Sequence, residues 1–168
     1  MNKDLPFVIP ENDLDLNLLL VYTVVYYLNK TSTGKLVLDI ERLNIYVYLV
    51  KNPHILYKVL VKLSKKSFVL KSYEILSFKA DNNDSETLYN NKILKFYIQI
   101  LMTNNQIKTE YNEKIGFVFY PSDEANNYMN FENKYFERVL NFIEKLKQIN
   151  STPLSQINTT IKNILEGK

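Results

Sequence analysis

The stretch that most constrains this fold is residues 35–56, where a short apolar run leads into two consecutive helix signals. Asp39 follows the run, and its carboxylate can accept hydrogen bonds from the first N–H groups of a helix. Apolar residues then recur at helical spacing until Pro53, which disfavours helical backbone in the residue before it. A helix, a sharp break and a second helix are the pattern of a helix-turn-helix.

The same periodicity predicts helices along most of the chain. They are predicted at residues 14–29, 40–51, 53–65, 85–103, 131–149 and 153–165. The first is apolar around most of its circumference, so we expect a central core helix. Residues 36–38 are predicted as a short strand and residues 121–124 as a short helical turn. Residues 67–80 fit a strand, a helix or an irregular crossing.

A β-hairpin interrupts the helices, with strands at residues 106–111 and 115–120 around a turn at 112–114. Only three glycines occur in 168 residues, which favours helices over a sandwich or barrel. We therefore predict a mainly α fold with a small β-hairpin, in which a winged-helix-like core carries added C-terminal helices. An N-terminal arm (1–13) would precede the core (14–130), and a helical extension (131–168) would pack on it as one domain.

The sequence holds few of the residues that catalysis or metal binding requires. It has no cysteine, one histidine (His54) and isolated glycines that cannot form a phosphate loop. Its clusters of Asp and Glu residues occur at the predicted starts of helices, where capping of the helix N-terminus accounts for them. We predict a protein that is not an enzyme, with no catalytic residue, cofactor or metal, and a structural or solvent-facing role for His54.

The amino-acid sequence also predicts where in the cell the protein is located. A chain without cysteine fits the cytoplasm. The longest apolar run covers residues 18–28, whereas a membrane span needs about 18 residues or more. The acidic N-terminal segment, broken by two prolines, is unlike a signal peptide. We expect a soluble, cytoplasmic protein without membrane contact.

Positive charge is concentrated in residues 35–79, which hold nine Lys or Arg side chains and three carboxylates. This charge predicts a contact for nucleic acid or an acidic protein, or else a solvated face. Glu110 and Glu113 near the hairpin turn disfavour DNA, because carboxylates repel phosphates. The candidate contact residues are Lys58, Lys62, Lys65 and Lys66.

Tyrosines are numerous on predicted helices that are already rich in aliphatic residues. We expect some of them to form an exposed apolar surface for another subunit. The alternative is that their rings are buried while their hydroxyls stay in water. These residues are Tyr22, Tyr26, Tyr27, Tyr46, Tyr48, Tyr57, Tyr89 and Tyr97.

Three segments, in this order, carry a family resemblance. The first is LDLNLLLVYTVVYYLNKT followed by KLVLDIERLNIYVYLVKNP, the second is ILKFYIQILMTNNQIKTEYNEKIGFVFYPSDEANNYM, and the third is NKYFERVLNFIEKLKQINSTPLSQINTTIKNIL. From about residue 14 to residue 165 the chain resembles the middle component of bacterial ABC-three-component systems, which are predicted conflict or defence systems.

The resemblance implies a non-enzymatic winged-helix adaptor between an ATPase of the structural-maintenance-of-chromosomes (SMC) type and an effector subunit. It supplies no catalytic residues. One alternative is a DNA-binding winged-helix regulator that uses the four candidate lysines, and another is a small phage or mobile-element inhibitor with an unrelated helical fold. A homodimer, and contact with nucleic acid directly or through the complex, also stay open.

Overall fold

The structure, a computed structural model, describes residues 13–76, 91–123 and 134–167. Seven helices and one antiparallel hairpin lie there, which confirms the mainly α fold with a small β-hairpin. The helices are α1 (Leu14–Leu28), α2 (Ile40–Lys51), α3 (Pro53–Lys62), α4 (Ser72–Leu76), α5 (Lys92–Thr103), α6 (Lys134–Lys147) and α7 (Leu154–Leu165); the strands are β1 (Ile107–Asn112) and β2 (Gly116–Pro121). The predicted arm up to residue 12 and the predicted helix starts at residues 85 and 131 lie outside the described residues.

Local signals place the start of the first three helices. The Asp13 carboxylate accepts a 3.0 Å hydrogen bond from Leu16 N, and the Asp39 carboxylate accepts one of 2.8 Å from Arg42 N. Each bond satisfies an N–H group that has no partner within its own helix. Pro53 is the first residue of α3, where its missing N–H costs no hydrogen bond. The bounds predicted for α2 are confirmed.

The predicted end of α3 is wrong by one turn. The helix ends at Lys62 rather than at residue 65, because Ser64 adopts a left-handed backbone with φ 55°. Lys65 N then donates a 2.8 Å hydrogen bond back to Leu60 O, which closes the helix end. Residues 65–71 contain no helix or strand, and α4 follows. The ambiguous segment is therefore an irregular crossing with one helical turn, as far as residue 76.

The hairpin is confirmed, one residue further along the chain than predicted. Tyr111 lies opposite Phe117, and Ile107 lies opposite Pro121. Because Pro121 is the last residue of β2, the helical turn predicted to start there is wrong, and its last position, residue 124, lies outside the described part. The predicted strand at residues 36–38 is also wrong. It forms only isolated bridges, supported by a 2.9 Å bond from Phe119 N to Leu38 O.

Helix α1 is the centre of the packing, as predicted. It contacts α2, α5, α6 and β2, and its residues Val24, Val25 and Leu28 are fully buried. Each such side chain contributes about 1.5–3 kcal/mol when removed from water. One hydrophobic cluster extends from α1 to Ile157 and Ile161 of α7, which packs on α3. The winged-helix assignment and the domain division stay predictions.

A buried polar network joins three parts of the chain that are distant in sequence. The Arg42 guanidinium donates 3.0 Å hydrogen bonds to the Tyr46 hydroxyl and to the carbonyls of Asn150 and Thr152. The Asn150 amide donates to the Leu28 carbonyl (3.1 Å) and accepts from the Tyr46 hydroxyl (3.0 Å). The network therefore ties the end of α1 and the start of α2 to the turn between α6 and α7. Burial raises the pKa of Tyr46.

Candidate interaction surfaces

The four candidate lysines lie at the end of α3, where they are exposed. Lys58 and Lys62 are four residues apart on the helix, so they share one side of it. Lys65 and Lys66 follow the helix rather than continue its face, because the backbone turns at Ser64. The Gln148 side chain donates to and accepts from the Lys66 backbone at 3.0 Å, which fixes this turn against the end of α6.

The tyrosine surface expected from the sequence is mostly interior. Tyr46 is fully buried and Tyr22 is 3 % exposed, whereas Tyr26 is 41 % exposed. Burial raises the pKa values of Tyr22 and Tyr97. Tyr27, Tyr48, Tyr57 and Tyr97 are half-buried. Tyr89 lies outside the described residues. The alternative of buried rings therefore describes these helices better than an exposed tyrosine surface does.

The hairpin tip carries an aromatic pair that the sequence reasoning missed. Tyr111 and Phe117, the hairpin-tip pair, are 67 % and 61 % exposed, and their rings stack edge to face at 5.4 Å between centroids. A cavity of about 520 Å³ lies beside them, between the hairpin and the first turn of α2. Asp39 and Glu41 line its α2 side. The sequence signal that could have predicted this pair is the presence of two aromatic residues on either side of a hairpin turn.

Helix α5 has apolar residues on two sides. Its inner side chains Leu94, Ile98 and Leu101 are buried in the core. Its outer stripe, Ile93 and Phe96, is 63 % and 52 % exposed. Isolated exposed apolar residues are ordinary, but two long side chains three residues apart on one helix form a continuous surface.

A third surface is a groove of about 690 Å³ between α1, α2, α6 and the segment that leads into α4. Leu20, Val50, Val139 and Phe142 are buried residues that line its apolar floor. Around that floor lie Lys51, Lys71, Tyr73, Lys134 and Tyr135, all of them exposed residues that define the lysine–tyrosine groove.

One side of this groove is held by an ion pair. Arg138 donates to both carboxylate oxygens of Glu74, at 2.6 and 2.7 Å, and to the Val69 carbonyl at 2.7 Å. Burial by itself would raise the pKa of the Glu74 carboxyl, but the hydrogen bonds from Arg138 and from Lys71 N hold it below its ordinary value. The hydrogen bond to Glu74 in turn raises the pKa of Arg138. The pair fixes α4 against α6.

The single histidine and the possible metal ligands were each predicted to have no catalytic role, and the structure describes their surroundings. His54 is 4 % exposed within α3, which favours the structural role over the solvent-facing one. Across residues 13–76, 91–123 and 134–167, no group of three or more His, Cys, Asp or Glu side chains could hold a metal ion. In the same residues no helix combines the length and the apolar character that crossing a membrane demands.

Comparison with known proteins gives one finding. No curated protein and no solved structure matches the chain. Residues 28–159 match the family model for the ABC-three component (ABC-3C) system Middle Component 4, which confirms the resemblance found in the sequence. A middle component is one part of a system with several components, so the match implies protein partners. Because the match covers most of the chain, the protein belongs to the ABC-3C system Middle Component 4 family.

Proposed function

We propose that the protein is a non-enzymatic adaptor, which links an SMC-like ATPase to an effector subunit within a bacterial conflict or defence system. The observation that supports this most is the presence of separate apolar and cationic surfaces on different elements. The hairpin-tip pair and the outer stripe of α5 are apolar, whereas the α3 lysines and the lysine–tyrosine groove are cationic. An adaptor requires two surfaces of this kind, because it binds two partners at once.

The hairpin-tip pair is the best-formed of the apolar surfaces. Two aromatic rings at the end of a hairpin offer a large contact area with few rotatable bonds, so little side-chain entropy is lost when a partner covers them. The cavity beside Phe117 can receive a side chain of the partner. In this proposal the hairpin is a protein-binding wing, and the bridge from Asp39 to Val118 serves as the short third strand of a winged helix.

The non-enzymatic part of the proposal rests on where the polar side chains are engaged. The two arginines, Arg42 and Arg138, bind carbonyls and a carboxylate of the chain itself. Two frequent catalytic residue types offer little here, since the chain has no cysteine and its single histidine is buried. A chain without cysteine also fits a site of action in the cytoplasm.

Co-expression with the proposed SMC-like ATPase and effector partners tests the adaptor role. We expect an affinity-tagged chain to elute with both proteins, in one peak whose mass by light scattering equals a ternary complex. The Tyr111→Ser/Phe117→Ser variant should lose one of the two partners and keep the other. A chain that elutes alone, with both partners present and folded, would contradict the proposal.

A DNA-binding regulator is the second candidate, because the four candidate lysines are all exposed, on α3 and in the turn that follows it. It requires DNA binding that weakens as salt concentration rises, since phosphate contacts release counterions. The Lys58→Glu/Lys62→Glu variant should then reduce DNA affinity by about tenfold or more in a fluorescence anisotropy titration. Binding that is unchanged by these substitutions would remove this candidate.

A further inference from the structure

We infer that the lysine–tyrosine groove binds a partner segment in which carboxylates flank a bulky apolar side chain. This inference rests on the proposed adaptor function and names the chemistry of one of its two contacts. Of the surfaces described above, the groove is the one that combines a buried apolar floor with several cations at its rim.

The charges around the groove are complementary to an acidic segment. Lys51, Lys71, Lys134 and Arg138 line it, whereas Glu74 is the single carboxylate among its described lining residues. Glu74 is already engaged, because both of its oxygens accept hydrogen bonds from Arg138. The groove therefore keeps an excess of positive charge, which would attract carboxylates and lose part of that attraction at high salt.

The floor of the groove selects for an apolar side chain between those carboxylates. Leu20, Val50, Val139 and Phe142 are between 2 % and 4 % exposed, so the groove ends on the hydrophobic core itself. Tyr73 and Tyr135 stand at the rim with 61 % and 44 % exposure. Aromatic rims around an apolar floor are typical of sites that anchor a Leu or Phe side chain.

A nucleic acid fits this arrangement less well. Its phosphates would satisfy the lysines, and a base could stack on Tyr73, but a nucleotide carries at most one methyl group to fill a floor built from buried aliphatic and aromatic side chains. An acidic peptide with one large apolar residue satisfies both the rim and the floor, so we assign the groove to a peptide segment of a protein partner.

The test measures binding of a fluorescein-labelled peptide of alternating glutamate and phenylalanine to the full chain by fluorescence anisotropy. Two control peptides replace the glutamates by glutamine or the phenylalanines by serine. We expect each control to bind about tenfold more weakly, because each lacks one of the two features that the groove recognises. Equal binding of all three peptides, or tighter binding of a labelled single-stranded oligonucleotide, would overturn the inference.

Matched charge reversals locate the binding site. The Lys71→Glu/Lys134→Glu variant should lose about tenfold in peptide affinity, while Lys30→Glu/Lys35→Glu, with the same change in net charge, should lose about twofold or less. Lys51 is left unchanged because its ammonium donates to Asn17 at 2.5 Å. Circular dichroism confirms that both variants fold. Equal losses in the two variants would show a non-specific charge effect and overturn the inference.

Two further outcomes separate this inference from the adaptor proposal. If substitutions in the chain's own first twelve residues, Phe7→Ser and Ile9→Ser, raise peptide affinity about tenfold, an internal segment competes for the groove and the inference is wrong. If the Lys71→Glu/Lys134→Glu variant loses peptide affinity and still assembles the ternary complex normally, the groove does not bind a partner and the inference is again wrong. In both cases the adaptor proposal would stand, because its test is complex formation.

Discussion

The interior and the surface of this protein use their cationic side chains in opposite ways. The two arginines of the chain, the buried Arg42 and the partly buried Arg138, form hydrogen bonds with carbonyls and a carboxylate from distant segments. Outside, lysines such as Lys58 and Lys71 lie exposed on α3 and around a groove. The planar guanidinium with its five donors suits several fixed oxygens at once, whereas an ammonium on a flexible stem suits a solvated surface.

The two arginines also differ from each other. In the described structure, the side-chain hydrogen bonds of Arg42 go to neutral oxygens. Arg138 instead binds the Glu74 carboxylate with two of its nitrogens. The first arrangement should be insensitive to acid and the second should not. Substitutions of buried partners of these arginines should therefore cost stability and reveal this difference, whereas substitutions on the surface should affect partner binding and cost little stability.

The largest effect is expected for Asn150→Ala. This substitution leaves the Leu28 and Lys30 carbonyls without their donor and the Tyr46 hydroxyl proton without its acceptor, so the free energy of unfolding should fall by about 3 kcal/mol. Urea denaturation followed by circular dichroism measures it. The control is Gln156→Ala on the exposed side of α7, which should change stability by about 0.5 kcal/mol or less. A similar small change for Asn150→Ala would refute the importance of the network.

The Glu74→Gln substitution should have the next largest effect. It removes the charge that Arg138 faces, but Arg138 keeps 18 % side-chain exposure and can recover some hydration. We expect a loss of about 2 kcal/mol, below the range for fully buried pairs. The same urea titration checks it. A variant as stable as the parent chain would mean that the pair contributes no net stability at neutral pH.

The pH dependence distinguishes the two arginine sites. Because the pKa of Glu74 is lower in the folded chain, the stability that the ion pair adds is complete above the unfolded-state pKa, about 4.3, and is lost as pH falls through the folded-state value. The stability difference between Glu74→Gln and the parent should therefore shrink in acid. The difference for Asn150→Ala should stay constant over the same pH range, and parallel behaviour of the two variants would contradict the distinction.

The smallest change in stability is expected for the double variant Tyr111→Ser/Phe117→Ser. Both side chains are largely exposed, so the loss of their edge-to-face contact should cost about 1 kcal/mol or less. Thermal denaturation measures this. A loss several times larger would show that the hairpin-tip pair supports the fold, and would remove the main argument for an interaction surface there.

Local features of the fold could be predicted from the sequence, and long-range ones could not. The roles of Asp39 as a helix cap and of Pro53 as the first residue of α3 depend only on neighbouring residues, so they could be predicted from the sequence. The contact from Arg42 to Asn150 spans 108 positions, and nothing in the local pattern pairs these two residues. The end of α3 was missed because the left-handed turn falls on Ser64, which carries no glycine signal.

The exposure of surface residues also divides into features that the local sequence predicts and features that depend on long-range packing. The exposure of Lys58 and Lys62 was predictable, because lysines opposite an apolar helical stripe remain in water. Which tyrosines are buried was not predictable: some of the eight were expected to be exposed, but Tyr46 and Tyr22 are buried, since their environment depends on which helices meet around them. The strands that carry the hairpin-tip pair were predicted within one residue, but the exposure of that pair depends on how the hairpin packs on the helices.

The central claim is that this protein is an adaptor which binds a partner through its hairpin tip. Its most direct test is light scattering of the complex with the proposed ATPase and effector partners, for the parent chain, for Tyr111→Ser/Phe117→Ser and for Val61→Ser. Val61, 51 % exposed on α3, is the matched control for loss of exposed apolar surface. We predict a ternary complex for the parent and for Val61→Ser, and a binary complex for the hairpin variant. An intact ternary complex with the hairpin variant would contradict the claim.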